Sequence, residues 1–374
     1  MMNSSEITQF ISELEQLYVP DNRTEVFDLT VRNEGDRFVI EGETSSHSAY
    51  DALIGRLSEK TTIRVRLLPD EVVGAQQWGI IYNTVQKMHQ THSFRSETVT
   101  ELLMGMPVKL LDQKEEWRRV VTPEGYIGWV PDGLTAFTEE NFNAYNQLKK
   151  VMITAAYTFV YLADNKRDGV VSNLVMGNLL AVKGETNNYY QVLYPDGREG
   201  YVCKDDAMFA TEWWGDVELS QERIVQQAQQ LLGLPYVWGG TSMHGLDCSG
   251  LTKLVYYMNG IVLPRDASQQ VRCGVLVDDK REYDQLQPGD LIFFGTPASE
   301  GSGEKVVHVA ISLGGERFIH ASDYVRLNSF DPQDPLYDAF NTSRYLRTKR
   351  IIGIAGDGCY RELVDTPFYH SFFK

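Results

Sequence analysis

The sequence predicts a multidomain α+β protein: an N-terminal α+β domain, two small β-barrels and a C-terminal α+β domain that carries the chemistry. Three observations lead to this fold class. The chain has 374 residues, more than one ordinary domain of roughly 150 residues needs. Its middle contains an internal repeat of short strands and turns, and its last third runs helix, loop, helix and strands. The predicted domains are 1–75, 76–140, 150–212 and 213–374.

The N-terminal segment predicts a small α+β unit. Ile7–Leu17 has apolar residues at helical spacing, and Tyr50–Leu57 is a second predicted helix. Val26–Val31 and Arg37–Ile40 flank an Asn-Glu-Gly-Asp turn and predict a strand pair, and Thr62–Leu67 predicts a further strand. No residue pattern here points to chemistry, so we interpret the segment as a packing or spacer domain.

The middle of the chain repeats itself at an offset of 72 residues. Met104-Gly105 aligns with Met176-Gly177, and Gly128-Trp129-Val130 aligns with Gly200-Tyr201-Val202. Short strands joined by Pro/Gly turns are typical of small β-barrels. The predicted strands of the first copy are Pro107–Leu111, Arg118–Val121 and Tyr126–Val130.

The last third begins with a predicted helix over Gln221–Leu232, for which Ser220 is the N-cap. The loop Pro235–Gly250 follows and leads into a helix over Leu251–Met258. This order, with the strands that come after it, predicts an α+β domain with an antiparallel sheet. Those strands are Leu291–Phe294, Val306–Leu313 and Arg317–His320.

The formal net charge of −16 argues against nucleic acid or anionic lipid as a partner, and against tight adhesion to an anionic cell wall. No apolar run approaches the ~18 residues of a membrane helix, and the start of the chain has no signal-peptide pattern. We expect a monomer with a small soluble substrate and with neither metal nor organic cofactor. Without a C-x-x-C pair, Cys203, Cys273 and Cys359 are expected to be structural thiols in a reducing, cytoplasmic compartment. A leader removed upstream would instead indicate the periplasm or the cell surface.

Cys248 is the candidate nucleophile. A thiol attacks as the thiolate, which a helix N-terminus, a cation or an imidazole stabilises. Cys248 lies at the head of a predicted helix, between Asp247 and Ser249, which are both N-cap residue types. Free backbone N–H groups at such a helix end can also hold a developing oxyanion.

The base is expected to be a histidine of the strand hairpin near position 314. His308 lies inside an apolar strand and His320 ends the next, at equal sequence distance from Gly314. A hairpin about this glycine places the two rings side by side, so that one can act as base and the other can orient it. The other histidines lie in other domains, on a flexible loop or near the chain end: His47, His89, His92, His244 and His370.

These residues resemble the NlpC/P60 family of papain-like cell-wall peptidases over about 220–350. The resemblance implies a papain-like fold, with Cys248 as nucleophile, His308 as base and His320 as the polar third residue. The barrels resemble tandem bacterial SH3 (SH3b) domains, whose last strand usually ends in Gly-Trp-Val or Gly-Tyr-Val. The stretches that carry the peptidase resemblance are Tyr236–Gly240, Asp247–Gly250, Leu263–Asp266, Gln287–Asp290, His308–Ile311 and His320.

Two SH3b domains before an NlpC/P60 domain resemble the branch of γ-D-glutamyl-L-diamino-acid endopeptidases, also called dipeptidyl-peptidase VI. The resemblance implies that the γ-D-Glu–diamino-acid amide of murein peptides is hydrolysed, with meso-diaminopimelate or lysine as the diamino acid and L-Ala-γ-D-Glu as product. It also implies an SH3b wall that admits only a free N-terminal L-Ala. The substrate-binding residues implied in this chain are Tyr126, Tyr236, Trp238, Asp247, Ser249 and Asp266.

The chain departs from that branch at two places. Ala267 follows the Arg-Asp pair where the branch commonly has Ser, and Ser268 comes one position later. The branch commonly has Leu-Arg-x-Glu-Pro in its first SH3b domain, where this chain has the stretch Met88–Glu97. Glu97 is therefore the candidate acidic partner of the substrate amine.

Other interpretations stay open at this stage. Tyr126, Tyr236 and Trp238 could be core aromatics, and Asp266 and Asp290 could be turn residues. The whole chain could be a peptidoglycan-binding protein with an inert peptidase domain, or an acyltransferase with an amine or lipid acceptor in place of water. The complete nucleophile and histidine set, together with the charge of −16, favours a peptidase of small murein peptides over the first alternative.

Overall fold

The computed structural model describes residues 4–35, 37–56, 61–354, 359–369 and 372–373. Asp36, Leu57 and His370, which the sequence analysis considered, lie outside these ranges. Within them the strands form a three-stranded sheet, two seven-stranded sheets, a six-stranded sheet and two two-stranded sheets, and most of the helices lie before and after the two seven-stranded sheets. The predicted α+β class is therefore confirmed. None of the helices in the same ranges has the length and hydropathy needed to span a bilayer.

The N-terminal unit (4–67) packs two helices on a small mixed sheet. Its elements are α1 (Ser4–Tyr18), β1 (Phe27–Glu34), β2 (Arg37–Thr44), α2 (His47–Arg56) and β3 (Thr61–Leu67). Strand β2 is central and pairs antiparallel with β1 and parallel with β3. Ile7, Phe10, Ile11 and Leu14 form the buried face of α1 because they recur at helical spacing.

The two β units share one strand plan. The first β unit contains β4 (Trp78–Ile81), β5 (Val85–His89), β6 (Thr98–Leu103), β7 (Pro107–Lys114), β8 (Trp117–Val121), β9 (Ile127–Val130) and β10 (Leu134–Phe137). After α3 (Glu139–Asn146), the second β unit contains β11 (Lys150–Ile153), β12 (Tyr157–Ala163), β13 (Asn165–Val175), β14 (Leu179–Glu185), β15 (Tyr189–Leu193), β16 (Glu199–Cys203) and β17 (Ala207–Phe209). The strand orders are β10-β4-β7-β8-β9-β5-β6 and β17-β11-β14-β15-β16-β12-β13, so each strand has its counterpart in the other sheet. The 72-residue repeat is therefore a structural duplication.

The first position of the repeated Gly-aromatic-Val motif must be glycine for steric reasons. A Cβ atom on Gly128 would lie 2.9 Å from the carbonyl oxygen of His89. A Cβ atom on Gly200 would lie 2.7 Å from the carbonyl oxygen of Tyr161. Because β-carbons do not approach carbonyl oxygens this closely, the strand crossing requires glycine in both copies.

The C-terminal unit (210–373) packs one long helix on an antiparallel sheet. Its helices are α4 (Ala210–Asp216), α5 (Gln221–Gln229), α6 (Cys248–Tyr257), α7 (Ala267–Gln270) and α8 (Ala339–Ser343). Its strands are β18 (Thr241–Ser242), β19 (Gly245–Leu246), β20 (Ile261–Val262), β21 (Val275–Asp278), β22 (Leu291–Thr296), β23 (Lys305–Ser312), β24 (Arg317–Ser322), β25 (Tyr324–Ser329), β26 (Tyr345–Arg350) and β27 (Arg361–Glu362). The main sheet has the order β21-β26-β22-β23-β24-β25. Helix α6 is buried along its whole length against β23, β24 and the first β unit, and it begins at Cys248, three residues before the predicted start.

The hairpin of β23 and β24 pairs in a register that differs from the expected one. Ile311 lies opposite Ile319, because the turn uses both Gly314 and Gly315 at positive φ. The two hairpin histidines are therefore diagonal neighbours rather than direct cross-strand partners. Diagonal neighbours on a sheet are still within reach of long or aromatic side chains.

The N-terminal unit docks on the outer side of the first β unit. Arg119 donates to Glu43 at 2.5 Å, and the Ile127 amide of β9 donates to the carbonyl oxygen of Arg23 at 2.7 Å. The segment between α1 and β1 is thus fixed along the edge of β9. This contact brings a segment that we interpreted as spacer close to the C-terminal unit.

Two cysteines form a disulfide that the sequence analysis did not expect. Cys273 and Cys359 are bridged, whereas Cys203 and Cys248 are free thiols. The bridge joins the segment after α7 to the segment before β27, and 86 residues separate its ends. The expectation of unpaired structural thiols at these two positions was wrong, because so long a loop leaves no spacing pattern in the sequence.

Thiol counting tests this pairing. In guanidinium chloride without reductant, two thiols per chain should react with Ellman's reagent, and four should react after reduction. In Cys203→Ser, one thiol should react before reduction and three should react after it. Four reactive thiols before reduction would contradict the bridge.

Candidate active site

A cleft of about 520 Å³ opens between the first β unit and the C-terminal unit. Arg23 of the N-terminal unit also lines it. His308 and His320 do not line the cleft, since both are buried in the adjacent strands β23 and β24. The predicted residues that do line it are Glu97, Tyr126, Tyr236, Trp238, Asp247, Cys248, Ser249 and Asp266.

Asp247 organises the start of α6. Its Oδ1 accepts from the Gly250 amide at 2.7 Å, as an N-cap does, and its Oδ2 accepts from the Gly239 amide at 2.9 Å. Ser249 donates to the same carboxylate at 3.2 Å. Both carboxylate oxygens are thus engaged by the protein, and Cys248 is fixed in the first helical turn.

A buried arginine that the sequence analysis did not select completes this arrangement. Arg265 pairs with Asp247 at 2.5 Å, and its side chain is only 1% exposed. It also donates to Ser249 Oγ at 2.9 Å and to Thr100 Oγ1 of the first β unit at 2.9 Å. Arg265 therefore ties the helix start to the wall of the cleft. Its place directly before Asp266 in the Leu-Pro-Arg-Asp motif was the available signal.

The Cys248 thiol is held in its neutral form. Burial raises its pKa to about 12, and the Asp247 carboxylate acts in the same direction. Hydrogen bonds from the Val309 and Ser249 amides lower the pKa but do not offset burial. The thiolate expected from the helix N-terminus alone is therefore not the resting form.

The two histidines form a hydrogen-bonded chain with an asparagine. His308 Nε2 lies 2.8 Å from His320 Nδ1, and His320 Nε2 lies 2.9 Å from Asn328 Oδ1. Asn328 donates through Nδ2 to the Leu336 carbonyl at 2.9 Å, which leaves its Oδ1 to accept from His320. His320 is then protonated on Nε2 and accepts on Nδ1, so His308 is protonated on Nε2. The free nitrogen of His308, Nδ1, carries the lone pair.

Both imidazoles are neutral at rest. Burial, followed by the charges of His320, Arg344 and Arg326, lowers the pKa of His308 well below its usual value. Burial likewise lowers the pKa of His320 to about 4, although Asn328 opposes the shift. In the described residues no hydrogen bond joins the Cys248 thiol to His308. Helix α6, which carries Cys248, packs against β23, which carries His308. Catalytic hydrogen bonds often close only when substrate binds, so a neutral thiol and a neutral imidazole on these two elements fit a resting enzyme.

The end of the cleft nearest the N-terminal unit carries a carboxylate. Asp266 is the N-cap of α7, and its Oδ2 accepts from the Tyr126 hydroxyl at 3.1 Å and from Arg23 Nη1 at 2.8 Å. Burial and the Asp266 charge raise the pKa of Tyr126, so the phenol stays protonated. Ser268, one position after the departure at Ala267, accepts from Arg23 at 2.8 Å and lines the cleft.

A second acidic side chain lies on the rim. Glu97 accepts from the Trp238 indole nitrogen at 2.6 Å, and both side chains line the cleft. Trp238 is 65% exposed, which excludes the interpretation as a core aromatic. By contrast, Asp290 is buried away from the cleft and pairs with Arg350 at 2.8 Å. In the described ranges no cluster of three or more His, Cys, Asp or Glu side chains could hold a metal ion.

Comparison with known proteins identifies similar chains. The sequence pattern of the NlpC/P60 family matches residues 233–350, and that of the bacterial dipeptidyl-peptidase Sh3 domain matches residues 88–133. A gamma-D-glutamyl-L-lysine dipeptidyl-peptidase of Bacillus cereus is 32% identical over 63% of this chain and 70% of the relative. A dipeptidyl-peptidase 6 of Lysinibacillus sphaericus is 29% identical over 69% of this chain and 93% of the relative.

A solved structure shares the fold. The crystal structure of an NlpC/P60 family protein from Bacillus cereus has a TM-score of 0.61 and 25% sequence identity. The match covers 74% of this chain and 99% of that chain. About a quarter of this chain therefore has no counterpart there.

Alkylation kinetics test the protonation state of Cys248. Only the thiolate reacts with iodoacetamide, and the raised pKa keeps the thiolate rare at neutral pH. In Cys203→Ser, the alkylation rate should rise about tenfold per pH unit between roughly pH 7 and 10 without a plateau. N-acetylcysteine is the reference and should level off near its ordinary pKa. A rate at Cys248 that is already constant from pH 6 would contradict the neutral resting state.

The buried Arg265 should be a large contributor to stability. Arg265→Met leaves the Asp247 carboxylate buried without a counterion, so the free energy of unfolding should fall by about 3–5 kcal/mol in denaturant titrations. Arg317→Met, which breaks the surface pair with Asp334, should cost less than about 1 kcal/mol. Equal losses in the two variants would contradict the role given to Arg265.

Proposed function

Because the chain belongs to the NlpC/P60 family, we propose that it hydrolyses the γ-D-glutamyl–L-diamino-acid amide of murein peptides with a free N-terminal L-Ala. The chain is a hydrolase of peptidoglycan peptides, as its relatives are. The products are L-Ala-γ-D-Glu and a peptide or amino acid that begins with the diamino acid. Cys248, His308 and His320 are the proposed catalytic residues.

The carboxylates that line the cleft beside Tyr126 and Trp238 are the observation that carries this proposal. Asp266 and Tyr126 lie there, and Glu97 lies on the rim beside Trp238. Carboxylates bind an ammonium group through charge-assisted hydrogen bonds, whereas an acylated amine would bring no charge to them. Arg23 and Ser268 also line the cleft, and Arg23 donates to both Asp266 and Ser268. A peptide with a free amine one residue before γ-D-Glu would bring its ammonium group to these carboxylates.

Acylation begins with the neutral thiol and imidazole. His308 Nδ1 takes the thiol proton as the Cys248 sulfur forms a bond to the γ-carbonyl carbon of D-Glu. The backbone amide of Cys248 and the hydroxyl of Tyr236 are the proposed donors to the oxyanion. Burial raises the pKa of Tyr236, which keeps its phenol protonated and able to donate.

The histidine chain supports the positive charge that forms on His308. His308 donates through Nε2 to neutral His320, which in turn donates to Asn328. This chain fixes the ring orientation and disperses the charge without an ionised partner. Asn328 is thus a further positioning residue of the proposed site.

Turnover is completed in two further steps. The tetrahedral intermediate collapses as the C–N bond breaks, and His308 gives its proton to the leaving amine. Water then attacks the thioester and gives a proton to His308, after which the C–S bond breaks and the thiol is reprotonated. L-Ala-γ-D-Glu leaves with a new γ-carboxylate.

Mass spectrometry of L-Ala-γ-D-Glu-L-Lys and its meso-diaminopimelate analogue tests the proposal. Wild type should release L-Ala-γ-D-Glu, and Cys248→Ala should lose at least about 1,000-fold in kcat with folding intact. Cys203→Ala, which removes the other free thiol, should keep wild-type activity. Absence of the dipeptide product with wild type at any pH from 5 to 9 would refute the proposal, as would an active Cys248→Ala.

A further inference from the structure

One residue of the N-terminal unit reaches the acidic end of the cleft. Arg23 Nη1 donates to Asp266 Oδ2 at 2.8 Å and to Ser268 Oγ at 2.8 Å, across a sequence separation of 243 residues to Asp266. Arg23 and Cys248 line the same cleft. A unit without predicted chemistry therefore contacts the carboxylate proposed to bind the substrate amine.

Arg23 is held in place from behind by Asp21. Its Nε donates to Asp21 Oδ1 at 2.8 Å and its Nη2 donates to Oδ2 at 2.7 Å. Gln269 of α7 also donates to Asp21, at 3.0 Å. Burial acts to raise the pKa of Asp21, but the hydrogen bonds from Arg23 and Gln269 lower it to about 2. Asp21 is thus ionised at neutral pH, and the two-point pair fixes the guanidinium plane.

The contacts form a row of carboxylate, guanidinium and carboxylate with a net charge of −1. Arg23 and the Tyr126 hydroxyl both donate to Asp266 Oδ2. Asp266 Oδ1 lies 4.0 Å from Arg265, which is too long for a hydrogen bond. The Asp266 side chain also accepts from the Gln269 backbone amide in the capping box of α7, and it lines the cleft, where a carboxylate oxygen can accept further hydrogen bonds from a ligand. Without the guanidinium, Asp266 would lose a donor that fixes its rotamer and would neighbour the uncompensated charge of Asp21.

We propose that Arg23 is a positioning residue for the amino end of the substrate. It holds Asp266 through Oδ2 so that Oδ1 receives the α-ammonium of the N-terminal residue. The N-terminal unit is thereby part of the specificity site rather than a spacer. This inference rests on the proposed function, and it assigns Arg23 to substrate binding rather than to turnover, because its contacts are with Asp21, Asp266 and Ser268.

Kinetics on free and N-acetylated L-Ala-γ-D-Glu-L-Lys test the inference. In Arg23→Gln, KM for the free peptide should rise about tenfold, as expected for a weakened charge-assisted contact, while kcat stays within about twofold. The preference in kcat/KM for the free over the acetylated peptide should fall about tenfold, because the acetylated amine has no charge to lose. Arg23→Lys keeps the positive charge but loses the planar guanidinium that binds two partners at once, so its KM and its preference should lie between those of wild type and Arg23→Gln.

Two further variants serve as the control without an expected effect and as the reference for complete loss. Arg32 belongs to the same unit, its side chain is 69% exposed, and it pairs with Glu41 at 3.4 Å. Arg32→Gln should therefore match wild type in KM and preference. Asp266→Ala removes the carboxylate itself, so its ratio of kcat/KM for the free and acetylated peptides gives the value expected when the preference is lost completely. Thermal unfolding of each variant separates a change in binding from a change in folding.

A second measurement compares how fast cationic and anionic reagents modify Cys248, and it requires no hydrolysis of a peptide. In a Cys203→Ser background, Cys248 is modified with cationic trimethylammonium-ethyl or anionic sulfonato-ethyl methanethiosulfonate. Loss of the guanidinium makes this end of the cleft more negative, so Arg23→Gln should raise the cationic-to-anionic rate ratio several-fold relative to Arg32→Gln.

The outcomes distinguish the two proposals. If wild type cleaves the free peptide and a folded Arg23→Gln keeps its KM and preference, the inference about Arg23 is overturned and the proposed function stands. If wild type cleaves neither peptide, the proposed function fails, and the reagent ratio then decides on Arg23. An unchanged ratio overturns the inference, because the guanidinium then does not lie at the cleft, and a raised ratio supports the placement of Arg23 beside Asp266 on which the inference depends.

Discussion

The buried pair of Arg265 and Asp247 is the interaction on which the cleft depends. Asp247 caps α6 and fixes the loop before it. Arg265 pairs with Asp247 and also donates to Thr100, so it links the start of α6 to the first β unit. Two ions can be buried together only when their remaining donors and acceptors are satisfied, and here Ser249 and two backbone amides complete the set. The position of the Cys248 thiol and the position of the opposing wall are therefore set by one network.

The sequence predicted the fold where its signal was local or periodic. The helical spacing of Ile7 to Leu14 corresponds to α1, because burial of one helix face requires apolar residues at that spacing. The 72-residue offset corresponds to the two β units, because the same strand order places the same residue types at matching positions. The hairpin register and the Cys273–Cys359 bridge were not predicted correctly. The register depends on how many glycines the turn uses, and the bridge joins positions 86 residues apart.

The candidate site shows the same division. The loop and helix around Cys248 were identified because the residue types that cap a helix flank a thiol in the sequence. Arg23 was missed because its partner Asp266 lies 243 residues away and in another unit, so no local pattern connects them. The neutral state of Cys248 was also missed, since a helix N-terminus is visible in a sequence but burial is not. Asn328 became visible only through its hydrogen bond to His320.

The duplicated β units share a plan but contact different neighbours. The hydrogen bond from the Thr122 amide to the Tyr126 carbonyl, 3.0 Å, recurs as the bond from the Tyr194 amide to the Arg198 carbonyl, 2.8 Å. Tyr126 faces the cleft, whereas Arg198 stacks on Tyr194 and donates to the Tyr82 carbonyl of the first copy at 3.0 Å. One copy thus forms a wall of the cleft, and the other packs against that copy. A substitution at Tyr126 therefore alters the lining of the cleft, whereas the matching substitution at Arg198 alters the contact between the two copies.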